Sequence, residues 1–152
     1  DRDFILLHTN SKKEILDSIS KTKGKPIFYR ATDEETTRFV LEKTPIKLIF
    51  GLESVNLKDS LHYVRGGLDQ VLCKIAAEKG KTIAFSFTDL LKAENKGQIL
   101  ARMMFNIKLC QKYKVKMYFG VFTTQKMELR AAKDLEAVWR VLGGKKVSPV
   151  MG

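Results

Sequence analysis

Residues 65–91 read RGGLDQVLCKIAAEKGKTIAFSFTDLL, and they hold both periodicities on which the fold turns. Leu68, Val71, Leu72, Ile75 and Ala76 fall at i, i+3, i+4, i+7 and i+8, which is one face of a helix. TIAFSF, at 82–87, is a short apolar run without strict polar alternation, which predicts a strand covered on both faces. The same alternation extends in both directions. FILL (4–7), PIFY (26–29), IKLIF (46–50) and MYFGVF (117–122) read as further strands. Between them lie helical patterns. Ser11 with Glu14 makes a capping box before Ile15, Leu16 and Ile19, and Thr32 with Glu35 makes a second before Phe39 and Val40. A long helix is expected over 96–113. A last one is marked by Leu135, Val138, Trp139 and Leu142 and closed by Gly143 and Gly144.

Five strands, each followed by a helix, imply a parallel sheet with right-handed crossovers. Two closures are open at this point: a doubly wound sheet, or a TIM-barrel-like α/β fold. At 152 residues the chain is shorter than the roughly 200 residues of a complete eight-fold barrel, so a barrel here is partial or compressed. A single domain over 1–152 is expected, and a trimmed start is the expectation too, since the chain opens without Met directly on a strand-like segment. Either closure puts the working surface at the C-terminal ends of the strands, near His8, Arg30, Glu53, His62, Arg65, Ser86, Asp89, Lys92, Thr123, Thr124 and Lys126.

The charge is lopsided. There are 28 Lys and Arg against 17 Asp and Glu, a net +11. Residues 1–89 carry 15 basic and 13 acidic side chains, whereas residues 90–152 carry 13 and 4. Such a surplus points to a polyanion, nucleic acid before an anionic membrane. No apolar run has the length of a membrane span, no basic amphipathic helix stands out and no secretory signal is read. Cys73 and Cys110 form no C-x-x-C pair, so they read as small core residues of a reducing compartment, the cytoplasm.

Motifs for unaided chemistry are scarce. A metal-dependent phosphoesterase on a barrel would gather several His and carboxylates at the strand ends. The chain has two histidines, His8 and His62, with Glu53 and Asp89 as further ligands at most, so no metal site is assigned. G-x-G-x-x-G, the P-loop pattern and the G-x-S-x-G elbow are all missing, and GGKK at 143–146 follows a helix rather than a strand. Gly66 and Gly67 before a helix admit two readings. One is a phosphate site of backbone N–H groups, with Arg65 gripping a phosphate, His62 donating and Tyr63 stacking. The other is a tight turn in which Arg65 pairs with Glu53 or Asp69. Lys108 and Lys112, one turn apart, share a face of the long helix with Arg102 nearby.

The stretch 65–91 resembles the central signature of protein component 3 of ribonuclease P, the thirty-kilodalton subunit family shared by archaea and eukaryotes. ILARMMFNIKLCQKYKV (99–115) is similar to the family's next helix, with Arg102, Asn106 and Lys108 at its polar positions. LRAAKDLEAVWRVLG (129–143) resembles its closing segment. Where the family has Thr/Ser-Ser-Gly-Ala after a strand, this chain has FTTQK (122–126). The resemblance implies a barrel related to metal-dependent phosphoesterases but emptied of most ligands, in a ribonucleoprotein of archaeal type that cuts the 5′ leader from precursor tRNA. The RNA subunit and its Mg²⁺ would do the cleavage, and the protein would bind no cofactor. The implied partners are ribonuclease P RNA, a small ferredoxin-like protein subunit, other holoenzyme proteins and, indirectly, precursor tRNA. The implied RNA contacts are Arg65, Arg102, Arg130, Lys126 and His62, with Arg30, Lys108 and Lys133 behind them. A phosphoesterase acting alone is the alternative.

Overall fold

The computed structural model describes residues 5–22, 24–55, 66–120, 132–143 and 150–151, with backbone alone for 132–136, 150 and 151. Strands β1 (Ile5–Leu7), β2 (Ile27–Arg30), β3 (Leu48–Phe50), β4 (Thr82–Ser86), β5 (Lys116–Gly120) and β6 (Val150–Met151) alternate with helices. The helices are α1 (Lys12–Lys21), α2 (Glu34–Lys43), α3 (Gln70–Lys79), α4 (Phe87–Lys92), α5 (Lys96–Tyr113) and α6 (Ala132–Val141).

The sheet order is β1-β2-β3-β4-β5-β6, and every pairing is parallel. This order settles the question of closure. Right-handed crossovers that always step in one direction leave all helices on one side, whereas a doubly wound sheet reverses direction once. The fold is therefore α/β and TIM-barrel-like, and its sheet is open, since no pairing joins β6 to β1 among the described residues.

The two faces of the sheet differ accordingly. Tyr29, Ile49, Ile83, Phe85 and Phe119 face the helices and join Ile15, Val40, Leu72, Met103, Ile107 and Trp139 in the main core. The Trp139 ring lies 5.7 Å from Phe119 and 5.9 Å from Phe85, which ties α6 to two strands. Alternation sends Leu48, Phe50 and Ala84 to the other face, with Phe28 and Tyr118 partly covered beside them. Leu6 is 50% exposed, so strands expected to be covered twice are fully covered only toward the centre of the sheet.

Local signals account for most element ends. Ser11 caps α1 by accepting from the Glu14 N–H, as expected. The cap of α2 is Asp33, not Thr32: the Asp33 carboxylate accepts from the Thr36 N–H at 2.7 Å, and the Thr32 hydroxyl sits 3.0 Å from the Tyr29 hydroxyl. A carboxylate has the added attraction of the helix dipole. TIAFSF ends one residue early because Ser86 caps α4, a short helix that apolar periodicity does not reveal. The two-residue β6 likewise carries too little pattern to be read from sequence.

Candidate nucleic-acid interface

The strand C-termini bring Arg30, Glu53, Ser86 and Asp89 together, as the parallel order requires. Gly51, at φ 78°, turns the chain out of β3 into the 3-10 turn Leu52–Ser54 and leaves room for Arg30. The Arg30 guanidinium crosses 5.3 Å from the Phe50 ring and donates to Asp89 at 3.0 Å. Arg30 is thus a partly exposed cation already engaged with a carboxylate. Thr88 Oγ1 and Asp89 Oδ2 are buried without a hydrogen-bond partner among the described residues.

Glu53 forms the hub. Its carboxyl is buried and accepts from Asn106 Nδ2 at 2.9 Å, and the same Nδ2 donates to the Gly66 carbonyl at 2.8 Å. Burial pushes the Glu53 carboxyl up to about 7, against a lowering by the Asn106 hydrogen bond. Arg102 donates to the Glu53 backbone carbonyl at 2.8 Å and is wholly buried. The side chain expected to contact RNA is thus held inside the fold. It falls in phase with Ile99, Met103, Ile107 and Cys110 on the inward stripe of α5.

The glycine pair takes the packing role. A Cβ on Gly66 would overlap the Asn106 amide, and one on Gly67, at φ 82°, would overlap the Leu52 carbonyl. Asp69 caps α3 by accepting from the Leu72 N–H at 2.8 Å, so a carboxylate already stands at that helix N-terminus. Asp69 is thereby engaged, and Glu53 is held by Asn106. Gly67→Ala is expected to cost about 3 kcal/mol or more, because backbone cannot swing aside as a side chain can. Urea unfolding checks this, and a loss below about 1 kcal/mol would contradict the tight contact.

Of the other expected residues, His8 lies exposed just past β1, Lys92 is exposed at the end of α4, and Lys108 is exposed on the outer side of α5 with Lys112. His62, Tyr63, Arg65, Thr123, Thr124, Lys126 and Arg130 lie outside the described residues, and Lys133 is placed by backbone only, on α6. Cys73 and Cys110 are both buried, and the neighbouring Cys73 thiol together with burial pushes the Cys110 thiol up. No group of three His, Cys, Asp or Glu gathers closely enough to hold a metal among the described residues. No described helix is long and apolar enough to cross a membrane.

The class defined by this geometry is an open, TIM-barrel-like α/β fold whose strand ends are occupied by internal hydrogen bonds and one ion pair. No protein-family model matches the chain. Among solved structures, it is similar in fold to a chain in the cryo-EM structure of archaeal ribonuclease P with mature tRNA. The TM-score is 0.75 and the identity 23%, over 91% of this chain and 59% of that one. The chain thus spans about three fifths of that neighbour's length.

Proposed function

We propose that this chain is an RNA-binding protein subunit of ribonuclease P, stabilising the catalytic RNA that removes the 5′ leader of precursor tRNA. The observation that carries this is the fold likeness to a chain of an archaeal ribonuclease P, taken with the signature-like stretch 65–91. Three residues of the resemblance, Gly66, Arg102 and Asn106, meet around Glu53, so the stretch builds one structural unit. The net charge of +11 fits a polyanionic partner.

Cleavage belongs in this reading to the RNA and its Mg²⁺, and the protein lowers repulsion between phosphates. Arg30, His62, Arg65, Lys108, Lys126, Arg130 and Lys133 remain the proposed contacts, and a small ferredoxin-like subunit and other holoenzyme proteins the proposed neighbours. The chain should bind a ribonuclease P RNA transcript with log K falling linearly in log salt, by roughly 0.7–0.9 for each phosphate neutralised. Added to the RNA and precursor tRNA, it should lower the Mg²⁺ needed for cleavage. Binding indifferent to salt, or an unchanged Mg²⁺ requirement at saturating protein, would overturn the proposal.

A further inference from the structure

The charge surplus has a sharper location than the second half of the chain. Each junction between the end of a helix and the start of the next strand is lysine-bearing: KTKGK (21–25), KTPIK (43–47), KGK (79–81), KVK (114–116) and GGKK (143–146). These five segments hold eleven lysines and no acidic residue, so the rest of the chain balances at 17 basic against 17 acidic. The whole excess sits at these helix-to-strand junctions, and the parallel topology brings the described ones, before β2, β3, β4 and β5, to one end of the fold.

Three of the five lie side by side, before β3, β4 and β5. Thr82 pairs with Leu48 on one side and with Lys116 on the other, and its N–H donates to the Lys47 carbonyl. Neighbouring strands are about 4.8 Å apart, so these three junctions span roughly 10 Å. Lys43, Lys47, Lys79, Lys114 and Lys116 are exposed, and among the described residues no carboxylate lies within ion-pair distance of their ammonium groups. Lys81 is buried and donates to the Thr44 and Ile46 carbonyls at 2.6 Å each, which pins the loop that carries Lys43 and Lys47. Glu78 and Glu42 stand near this end, the latter beside Arg38.

Helix dipoles explain lysines in a last helical turn, such as Lys21, Lys43 and Lys79. They do not explain Lys47, Lys81, Lys114 and Lys116, which lie beyond the helix ends. Lys114 adopts φ 59°, the left-handed conformation that Gly80 takes in the corresponding place after α3. A lysine there is strained where glycine is not. At the opposite end, Arg30 is engaged with Asp89, Lys12 with Glu35 and Glu53 with Asn106, Asp33 and Asp69 serve as caps, and Lys13, Lys92 and Lys96 are exposed but come from separate helices rather than from one row of junctions.

We propose that the lysine-bearing end of the fold, where the strands begin, is an RNA phosphate-binding face. This rests on the ribonuclease P reading and locates a backbone contact surface away from the strand C-termini.

The test compares two charge-matched triple variants for binding to an in vitro transcript of an archaeal ribonuclease P RNA, across a salt titration. One is Lys47→Thr with Lys114→Gly and Lys116→Thr. The other, at the far end, is Lys12→Ala with Lys13→Ala and Lys96→Ala. The first is expected to weaken binding about tenfold or more near physiological salt and to lower the salt slope by about two. The second should lower the slope by less than one. Thermal unfolding verifies that both triples are folded, and Lys114→Gly relieves a strained residue. Equal losses from both triples, or none from the first, overturn the proposal and leave the ribonuclease P reading standing. A wild-type chain that does not bind the transcript overturns both.

Discussion

Replacing Arg102 by alanine should lower the stability of this protein by about 3–5 kcal/mol, the largest loss expected from any single charge removal here. The side chain is fully buried, so its deletion leaves a void on the inward stripe of α5 and strips the Glu53 carbonyl of its donor. For a chain of this length the loss corresponds to a fall in Tm of roughly 10 °C or more. Arg102→Met, which fills the space without donating, should cost less. Lys108→Ala, at an exposed position on the same helix, should stay within about 0.5 kcal/mol. Urea denaturation of the three variants decides the matter. An Arg102→Ala chain as stable as wild type would mean that the guanidinium is not bearing on the fold and is available to RNA after all.

Glu53→Gln should change how stability depends on pH. The folded carboxyl titrates at about 7 against an ordinary 4.5, so between those values the folded protein holds a proton that the unfolded chain has released. Stability from this group is therefore greatest below pH 4.5, falls as pH rises through 7, and is lost above it, by about 3 kcal/mol. The glutamine variant keeps an oxygen to accept from Asn106 and carries no proton to lose. Its advantage over wild type should be absent near pH 4 and grow to its full size by pH 8. Denaturant midpoints of both proteins at several pH values measure the difference. Parallel curves would show that Glu53 is better solvated than its burial implies.

Much of the architecture is written in periodicity. The strand run expected at 82–87 is Thr82–Ser86, and the helix expected over Leu68 to Ala76 is Gln70–Lys79, with Leu72 and Ala76 buried but Val71 exposed, because burial leaves a direct but incomplete trace in residue order. The shift of the α2 cap from Thr32 to Asp33 is a competition between two adjacent acceptors, which spacing alone does not rank. Arg102 and Asn106 are legible as polar family positions, and their phase also places them in the row Ile99, Met103, Ile107, Cys110. Phase was the signal that separated them from Lys108. Gly66 and Gly67 were visible as a turn, but their constraint comes from Asn106 and Leu52, which lie elsewhere in the chain.

By itself, the order of residues determined the alternation of strands and helices, their parallel sense and the size of the positive excess. These are local quantities, set by the period of a segment or by a count. Only the tertiary structure decided between an open TIM-barrel-like winding and a doubly wound sheet, buried the Arg102 guanidinium, lifted the Glu53 carboxyl, and gathered the lysines of separate connections at one end. Each of those depends on which segments lie beside one another, and neighbours in space are chosen by strand pairing and core packing across tens of residues, where no local pattern records them.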